Sequence, residues 1–256
     1  MFKSSIKMKK CFMMAALLIG CMATASAQEI RDMFGSDQKG GISYGVRAGL
    51  NVSKIAGQYS PDSDDKLDFN SRVGFQVGAV VDIPITNGFY VQPGLLFTTR
   101  GAKEKSSYSE AGYSEEASTK YRPMYLQIPV LASFRADVSE SVNVQVHVGP
   151  HFAFGLGGKC KDSYSDSDGL SESQKYPFFG ESTENEARFG AKRFDFGLSF
   201  GAGVTLREHY YVTLREHYYV GIVYDLGLVN MAIDKEWGKE AKFHNRNFSI
   251  QLGYNF

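Results

Sequence analysis

"RVGFQVGAVVDIPI", residues Arg72 to Ile85, puts Val73, Phe75, Val77, Ala79, Val81 and Ile83 on one side and Arg72, Gln76 and Asp82 on the other. Side chains of a strand alternate with a period of two, so this run is a strand with one apolar and one polar face. It is also long. Strands of soluble proteins average about 5–6 residues, whereas a strand tilted across a bilayer takes about 9–11.

The same pattern recurs seven more times. "YGVRAGLNV" sets Tyr44, Val46, Ala48, Leu50 and Val52 against Arg47, Gly49 and Asn51. "FYVQPGLLFTTR" sets Phe89, Val91, Leu95 and Phe97 against Tyr90, Gln92 and Arg100. In "MYLQIPVLASFRA", Leu126, Ile128, Val130, Ala132 and Phe134 oppose Gln127, Ser133 and Arg135. In "VNVQVHVGPHFAF", Val142, Val144, Val146, Val148 and Phe152 oppose Asn143, Gln145, His147 and His151. "RFDFGLSFGAGVTL" opposes Phe194, Phe196, Leu198, Phe200 and Val204 to Arg193, Asp195 and Ser199. "YVGIVYDLGL" offers Val220, Ile222, Tyr224 and Leu226 against Asp225, and "NFSIQLGYNF" offers Phe248, Ile250, Leu252, Tyr254 and Phe256 against Ser249, Gln251 and Asn255.

Charge decides which face meets lipid. Arg47, Arg72, Asp82, Arg100, Arg135, Arg193, Asp195 and Asp225 share the polar faces, and Lys54 and Arg246 fall on apolar parity only at strand ends. An Arg facing the bilayer midplane costs about 2–4 kcal/mol, which enforces this segregation. A soluble eight-stranded barrel would carry its charges outside instead. The connections after the second and fourth segments are short, and those after the first, third, fifth and seventh are long and polar, as in an outer-membrane barrel. The expected fold is all-β: an eight-stranded antiparallel transmembrane β-barrel, an up-and-down meander with long external loops.

"GVRAGLNVSKIAG" (45–57), "GFYVQPGLLFTTRGAK" (88–103), "YLQIPVLASFR" (125–135) and "FSIQLGYNF" (248–256) together resemble the PorT-like outer-membrane β-barrel proteins of the Bacteroidetes. The "YLQIP" strand beside the "QPGLLF" strand is the most specific element of the resemblance. It implies an eight-stranded barrel in the outer membrane of a Gram-negative cell, placed there by the barrel-assembly machinery. The family's namesake is linked to secretion across that membrane. The resemblance brings no active residues.

The first 27 residues read as a signal peptide: Lys3, Lys7, Lys9 and Lys10, then the apolar "CFMMAALLIGCMA", then Ala25 and Ala27 before a cleavage site at Gln28. "LIGC" (18–21) also reads as a lipobox, which would leave a lipidated Cys21. Residues 28–40 are expected to be a short periplasmic segment, and 41–256 the barrel. Outside the signal Cys160 is alone, so no internal disulfide can form. Basic and acidic residues balance at 28 each, which gives no footprint for nucleic acid.

The chemistry-bearing groups are few. His147, His151, Asp195 and Ser199 fall on polar faces of adjacent segments, the parts of a nucleophilic site. The competing reading is a hydrogen-bonded lumen filling, because side chains fill an eight-stranded barrel. The interior Arg and Asp residues form a charge-paired plug on the same logic, rather than an ion pathway. "DSYSDSDG" (162–169) and "PDSDD" (61–65) hint at calcium, but an EF-hand frame would put Tyr164 and Lys175 where Asp and Glu are required. "GLGGKC" lacks the first glycine and the hydroxyl residue of a phosphate loop. No catalytic residue, cofactor or metal is therefore assigned.

The 158–192 connection carries "YPFFG" (176–180), which either anchors a surface partner or folds back onto the barrel rim, and it includes Cys160, expected to be accessible at the cell surface. "VTLREHYY" occurs twice, at 204–211 and 212–219. Eight is an even number, so Tyr218, Val220 and Ile222 keep the lipid face, and the extra copy lengthens a hairpin rather than adding a crossing. The functional expectation is a small non-enzymatic outer-membrane barrel whose loops contact a surface partner or the environment. A lipid-modifying enzyme and an accessory for protein export are the alternatives.

Overall fold

The computed structural model describes residues 41–58, 69–86, 88–110, 113–139, 141–183, 188–207, 217–238 and 240–256. In chain order the elements are β1 (Ser43–Gln58), β2 (Asn70–Thr86), β3 (Phe89–Thr99), β4 (Ala102–Glu110), β5 (Tyr113–Ser139), β6 (Val142–Asp166), β7 (Ser171–Pro177), β8 (Phe194–Arg207), β9 (His217–Gly227), α1 (Asp234–Trp237) and β10 (Lys242–Asn255). The signal and the 28–40 segment lie outside the described residues.

Antiparallel pairing runs β1–β2–β3–β5–β6–β8–β9–β10 and returns to β1, which closes a ring. The seam joins Gly45 to Asn255, and the Phe256 amide donates to the Tyr44 carbonyl at 2.8 Å. β4 resumes the rail of β3 after a kink, because β2 and β5 each pair with both. Gly101 makes that kink at φ +140°, where a Cβ would stand 2.0 Å from the Tyr121 carbonyl oxygen. The barrel thus has eight staves, as the alternation requires.

The parity assignments hold along every stave. Leu50, Val73 and Leu252 stand more than 60% exposed on the outside, while Arg47, Asp82, Arg100, Asp195 and Asp225 are buried within. Tyr218, Val220 and Ile222 keep the outer face. The two chain ends and the short turns after β2 and β5 share one end of the barrel, called here the turn end. There an outward aromatic belt of Phe89, Phe134, Tyr218, Tyr254 and Phe256 gathers. Such belts mark a membrane interface.

The opposite, loop end departs from expectation. The connections after the third and fifth segments are largely strand: β4 pairs with the first part of β5, and the last part of β6 pairs with both β5 and β7. β5 is 27 residues long and β6 is 25, far beyond the roughly 9–11 needed to cross. These extensions have no apolar face, so hydrophobic alternation could not reveal them. Within them "GLGGKC" lies inside β6 as extended chain. "DSYSDSDG" forms the end of β6 and its turn, where the Asp166 carboxylate accepts the amides of Asp168 and Leu170 at 3.0 Å each. "PDSDD" lies outside the described residues.

Candidate functional site

Within the barrel the side chains form three layers. In the upper lumen Arg100, at the end of β3, reaches Asp195 on β8 at 3.3 Å, Asp225 on β9 at 3.1 Å and Gln127 on β5 at 2.5 Å. Asn245 of β10 donates to Asp195 at 2.9 Å, and Asn247 to Asp225 at 3.1 Å. The guanidinium is 1% exposed. Such a group stays buried only when fixed acceptors replace its water.

The nucleophile candidates resolve in this layer. Ser199 donates its hydroxyl proton to Asp225 at 2.6 Å, and His151 Nδ1 lies 2.9 Å from the Ser199 Oγ. With the hydroxyl proton already committed, His151 must donate through Nδ1, so the serine sits between the imidazole and the carboxylate. A triad needs the imidazole in the middle, as the base that takes the serine proton. Asp195 belongs to Arg100 rather than to this chain of bonds, and His147 lies apart against the ring of Tyr219. The arrangement fills space and links the staves by hydrogen bonds.

Nearer the turn end, Arg135 and Gln92 both donate to Asp82 at 2.6 Å, Arg135 stacks on Tyr90, and Arg47 stacks on Tyr219. Between the two polar layers Val80, Leu96, Leu131 and Val223 point inward, and the residual cavity measures about 20 Å³. That is room for about one water.

The third layer closes the loop end. Ile55, Phe69, Tyr121, Tyr125, Cys160, Phe178, Phe179, Phe189, Met231 and Phe243 form a continuous buried apolar core across the mouth. "YPFFG" therefore folds back onto the rim: Phe178 and Phe179 are fully buried. Phe179 lies over Gly155, where a Cβ would come 2.3 Å from the ring. Cys160 is buried too, contrary to the expected accessibility, and its burial pushes the thiol pKa up.

Above the mouth, β4, β5, β6 and β7 form a sheet with opposed faces. The inward side carries Glu104, Glu110, Glu115, Asp162, Asp166 and Glu172 among tyrosines, with no Lys or Arg. Tyr121 donates to Glu104 at 3.1 Å and Tyr164 to Glu115 at 3.0 Å, while Tyr108 donates to Glu110. An open depression of about 640 Å³ over these strands is lined by Ala117, Thr119, Asp162, Tyr164, Glu172 and Gln174 of inward parity and by the intervening Ser118, Ser163 and Ser173. The outward side carries Lys103, Lys105, Lys120, Arg122, Lys159, Lys161 and Lys175, with one acid, Glu116. The signal for these strands was an alternation of charge sign, Lys-Glu-Lys in β4 and Lys-Cys-Lys-Asp in β6, in place of hydrophobic alternation.

A ring of antiparallel strands with lipid-facing apolar residues and a polar filled lumen defines a small transmembrane β-barrel of the outer membrane. The chain belongs to the outer membrane protein beta-barrel domain family, whose pattern it matches over residues 27–231. No curated protein matches it. Among solved structures it is similar to Ail, the attachment invasion locus protein of Yersinia pestis, crystallised with the heparin analogue sucrose octasulfate. That pair shares 15% identity and a TM-score of 0.34, covering 84% of this chain and 99% of the other. It is similar to Neisserial surface protein A at 14% identity and TM-score 0.38, covering 84% and 98%. It is also similar to the outer membrane protease OmpT of Escherichia coli at 10% and 0.31, covering 84% and 96%.

Proposed function

We propose that this is a non-enzymatic outer-membrane barrel of the PorT-like kind found in Bacteroidetes, which holds a polar β-sheet above the membrane to contact a surface partner. An N-terminal signal cleaved before Gln28 exports it, and the barrel-assembly machinery inserts it through the terminal strand, with the loop end outward. The observation that carries this reading is the combination of a sealed barrel with 25- and 27-residue strands that run on past the bilayer. A lumen filled by side chains around a cavity of about 20 Å³ and capped by an apolar core supports a sealed barrel among the described residues. The chain's own investment lies in the projecting sheet, whose inward side offers a polar depression bounded by β5, β6 and β7. The partner role extends the 158–192 assignment to a surface shared with β5.

A photo-crosslinker at Glu172 or Gln174 should give one discrete adduct on intact cells, and the same probe at lumen-facing Gln251 should give none. No adduct at any inward position of the sheet would overturn the partner role. Ion channels in planar bilayers, or turnover of labelled lipid by the refolded barrel, would overturn the sealed, non-enzymatic reading.

A further inference from the structure

The outward side of the projecting sheet holds a cross-strand row of four lysines. Lys103 pairs with Lys120, Lys120 with Lys161, and Lys161 with Lys175, so all four ammonium groups project from the same side of adjacent strands. Arg122 and Lys159 form the row beneath, and they too are direct partners. Like charges placed opposite one another destabilise a sheet, and strands lie only about 4.8 Å apart. Lys105 is neutralised by Glu116 at 3.1 Å, but among the described residues none of the other six pairs with an acid. On the inward side, by contrast, Glu104 and Glu115 already accept tyrosine hydroxyls. A repulsive row without an internal partner among the described residues calls for an anion from outside.

Its position says which anion. The outward parity of the row continues from lipid-facing Met124 on β5, and on β6 it passes through a bulge at the lipid-facing Leu156. Two to four residues farther along a strand tilted by about 45° place Arg122 and Lys120 roughly 5–10 Å above that apolar edge. This is the level of the headgroups, which add about 5–8 Å to each side of the hydrocarbon. Lys54 and Arg246, partners across the β1–β10 seam, extend the basic collar to another part of the rim. At the turn end the outward belt is aromatic, and the described outward residues there include no Lys or Arg. The basic collar therefore faces one leaflet only.

We infer that the Lys103–Lys120–Lys161–Lys175 row, with Arg122 and Lys159 below it, is a binding site for the phosphorylated headgroup of an outer-leaflet glycolipid. Acyl chains lie against the apolar staves beneath while the phosphates neutralise the row. The site would fix the projecting sheet at a set height and leave its inward side free. This rests on the loop end facing outward, and an epitope inserted in the Ser167–Gly169 turn, read by antibody on intact cells, tests that orientation alone.

The full mature barrel is reconstituted in phosphatidylcholine vesicles containing either bisphosphorylated or dephosphorylated lipid A. After extraction in neutral detergent, the glycolipid retained by the protein is quantified. The wild type should retain at least about tenfold more of the phosphorylated form, given roughly fivefold per lysine near an anionic surface. K103Q/K120Q/K161Q/K175Q should retain the two equally, whereas the matching Lys→Arg variant and the inward-side control E110Q/E172Q should behave as wild type. Equal retention of both lipids by the wild type overturns the site, as does undiminished retention by the Gln variant. Displacement by excess inorganic phosphate also overturns it, in favour of a soluble anion. Should the Gln variant fail to fold, salt decides: raising NaCl from about 50 to 500 mM shortens screening severalfold and should remove the preference of the wild type. A preference unchanged by salt rejects the assignment.

Discussion

The lumen and the mouth of this barrel are sealed by opposite chemistry. In the upper lumen the filling is polar: one guanidinium, two carboxylates and their amide and hydroxyl partners, drawn from β3, β5, β6, β8, β9 and β10. At the mouth it is apolar: aromatic rings from β5, β10 and the segment after β7, packed edge to face or stacked. The reason is the surroundings. Lumen residues sit on staves whose other face must be apolar, and hydrogen bonds across the ring fix those staves without a second hydrophobic layer. At the mouth the outer face is polar, so the inner face can be apolar as in a soluble protein. The molecule is inside-out within the bilayer and conventional above it.

The comparison breaks most sharply at Arg100. Replacing it with Met leaves Asp195 and Asp225 buried without their shared counter-charge, and removing one partner of a buried pair costs about 3–5 kcal/mol. R100M should lower the urea midpoint of the whole barrel, followed by its heat-modifiable migration in gels. R100M/D195N/D225N should recover much of the loss, because removing all the charges removes the desolvation problem. Equal destabilisation of the single and triple variants would mean that Arg100 acts by packing alone.

At the mouth the matching change is Phe179→Ala. Truncating a buried Phe costs about 3–5 kcal/mol, but here the loss should be local. Backbone bonds such as Phe178 to Gly158 and Ile233 to Gly190 tie the segment from Tyr176 to Ala191 to the rim, and they can open without parting the staves. F179A should keep its heat-modifiable migration and its urea midpoint while the rim loosens. A midpoint shift as large as that of R100M would show that the mouth and the staves unfold as one unit.

Cys160 reports that opening. In the folded wild type its burial and raised pKa keep the thiol protonated and shielded. A membrane-impermeant maleimide should therefore react slowly with intact cells and fully after denaturation. In F179A the folded protein should label at least about tenfold faster, the kinetic sign of local opening. Fast labelling of the wild type would mean that the thiol is exposed on the cell surface.

How far the sequence disclosed these regions follows the same division. Every stave, its lipid face and the charged lumen were legible, because a bilayer on one side forces a strict period of two. What alternation could not show was who meets whom across the ring: Asp225 rather than Asp195 takes Ser199, and His147 and His151 go to different layers. Those contacts depend on stagger. The strand extensions were illegible for another reason. Water lies on both sides of most of their length, so polar residues fall on both faces and the run reads as loop. The mouth core draws Ile55, Tyr121, Phe178 and Phe243 from four distant segments, and only Phe178, in "YPFFG", stood out in the sequence.

The smallest expected effect concerns the duplicated octapeptide. Residues 208–216, with the Glu208–His209 pair, lie outside the described residues. The flanking ladder is defined, and it pairs Val204 with Val220, Thr205 with Tyr219 and Leu206 with Tyr218. Tyr219 has a lumen role, under the Arg47 guanidinium at 4.3 Å and beside His147, as does Thr205, which accepts from Gln145 at 3.2 Å. Excising Val212 to Tyr219 brings Tyr211 to the place of Tyr219 and Tyr210 to that of Tyr218, because the two copies are identical. "REH" then forms a three-residue turn, a common hairpin connection. Register, facing and the Arg47 stack all survive, so urea midpoint, heat-modifiability and yield should match wild type. A drop in any of them would show that the second copy, 212–219, makes contacts the first cannot replace. Tyr211→Ala in the shortened chain should then be destabilising by about as much as Tyr219→Ala in the full one, and unequal losses would show that the register had moved.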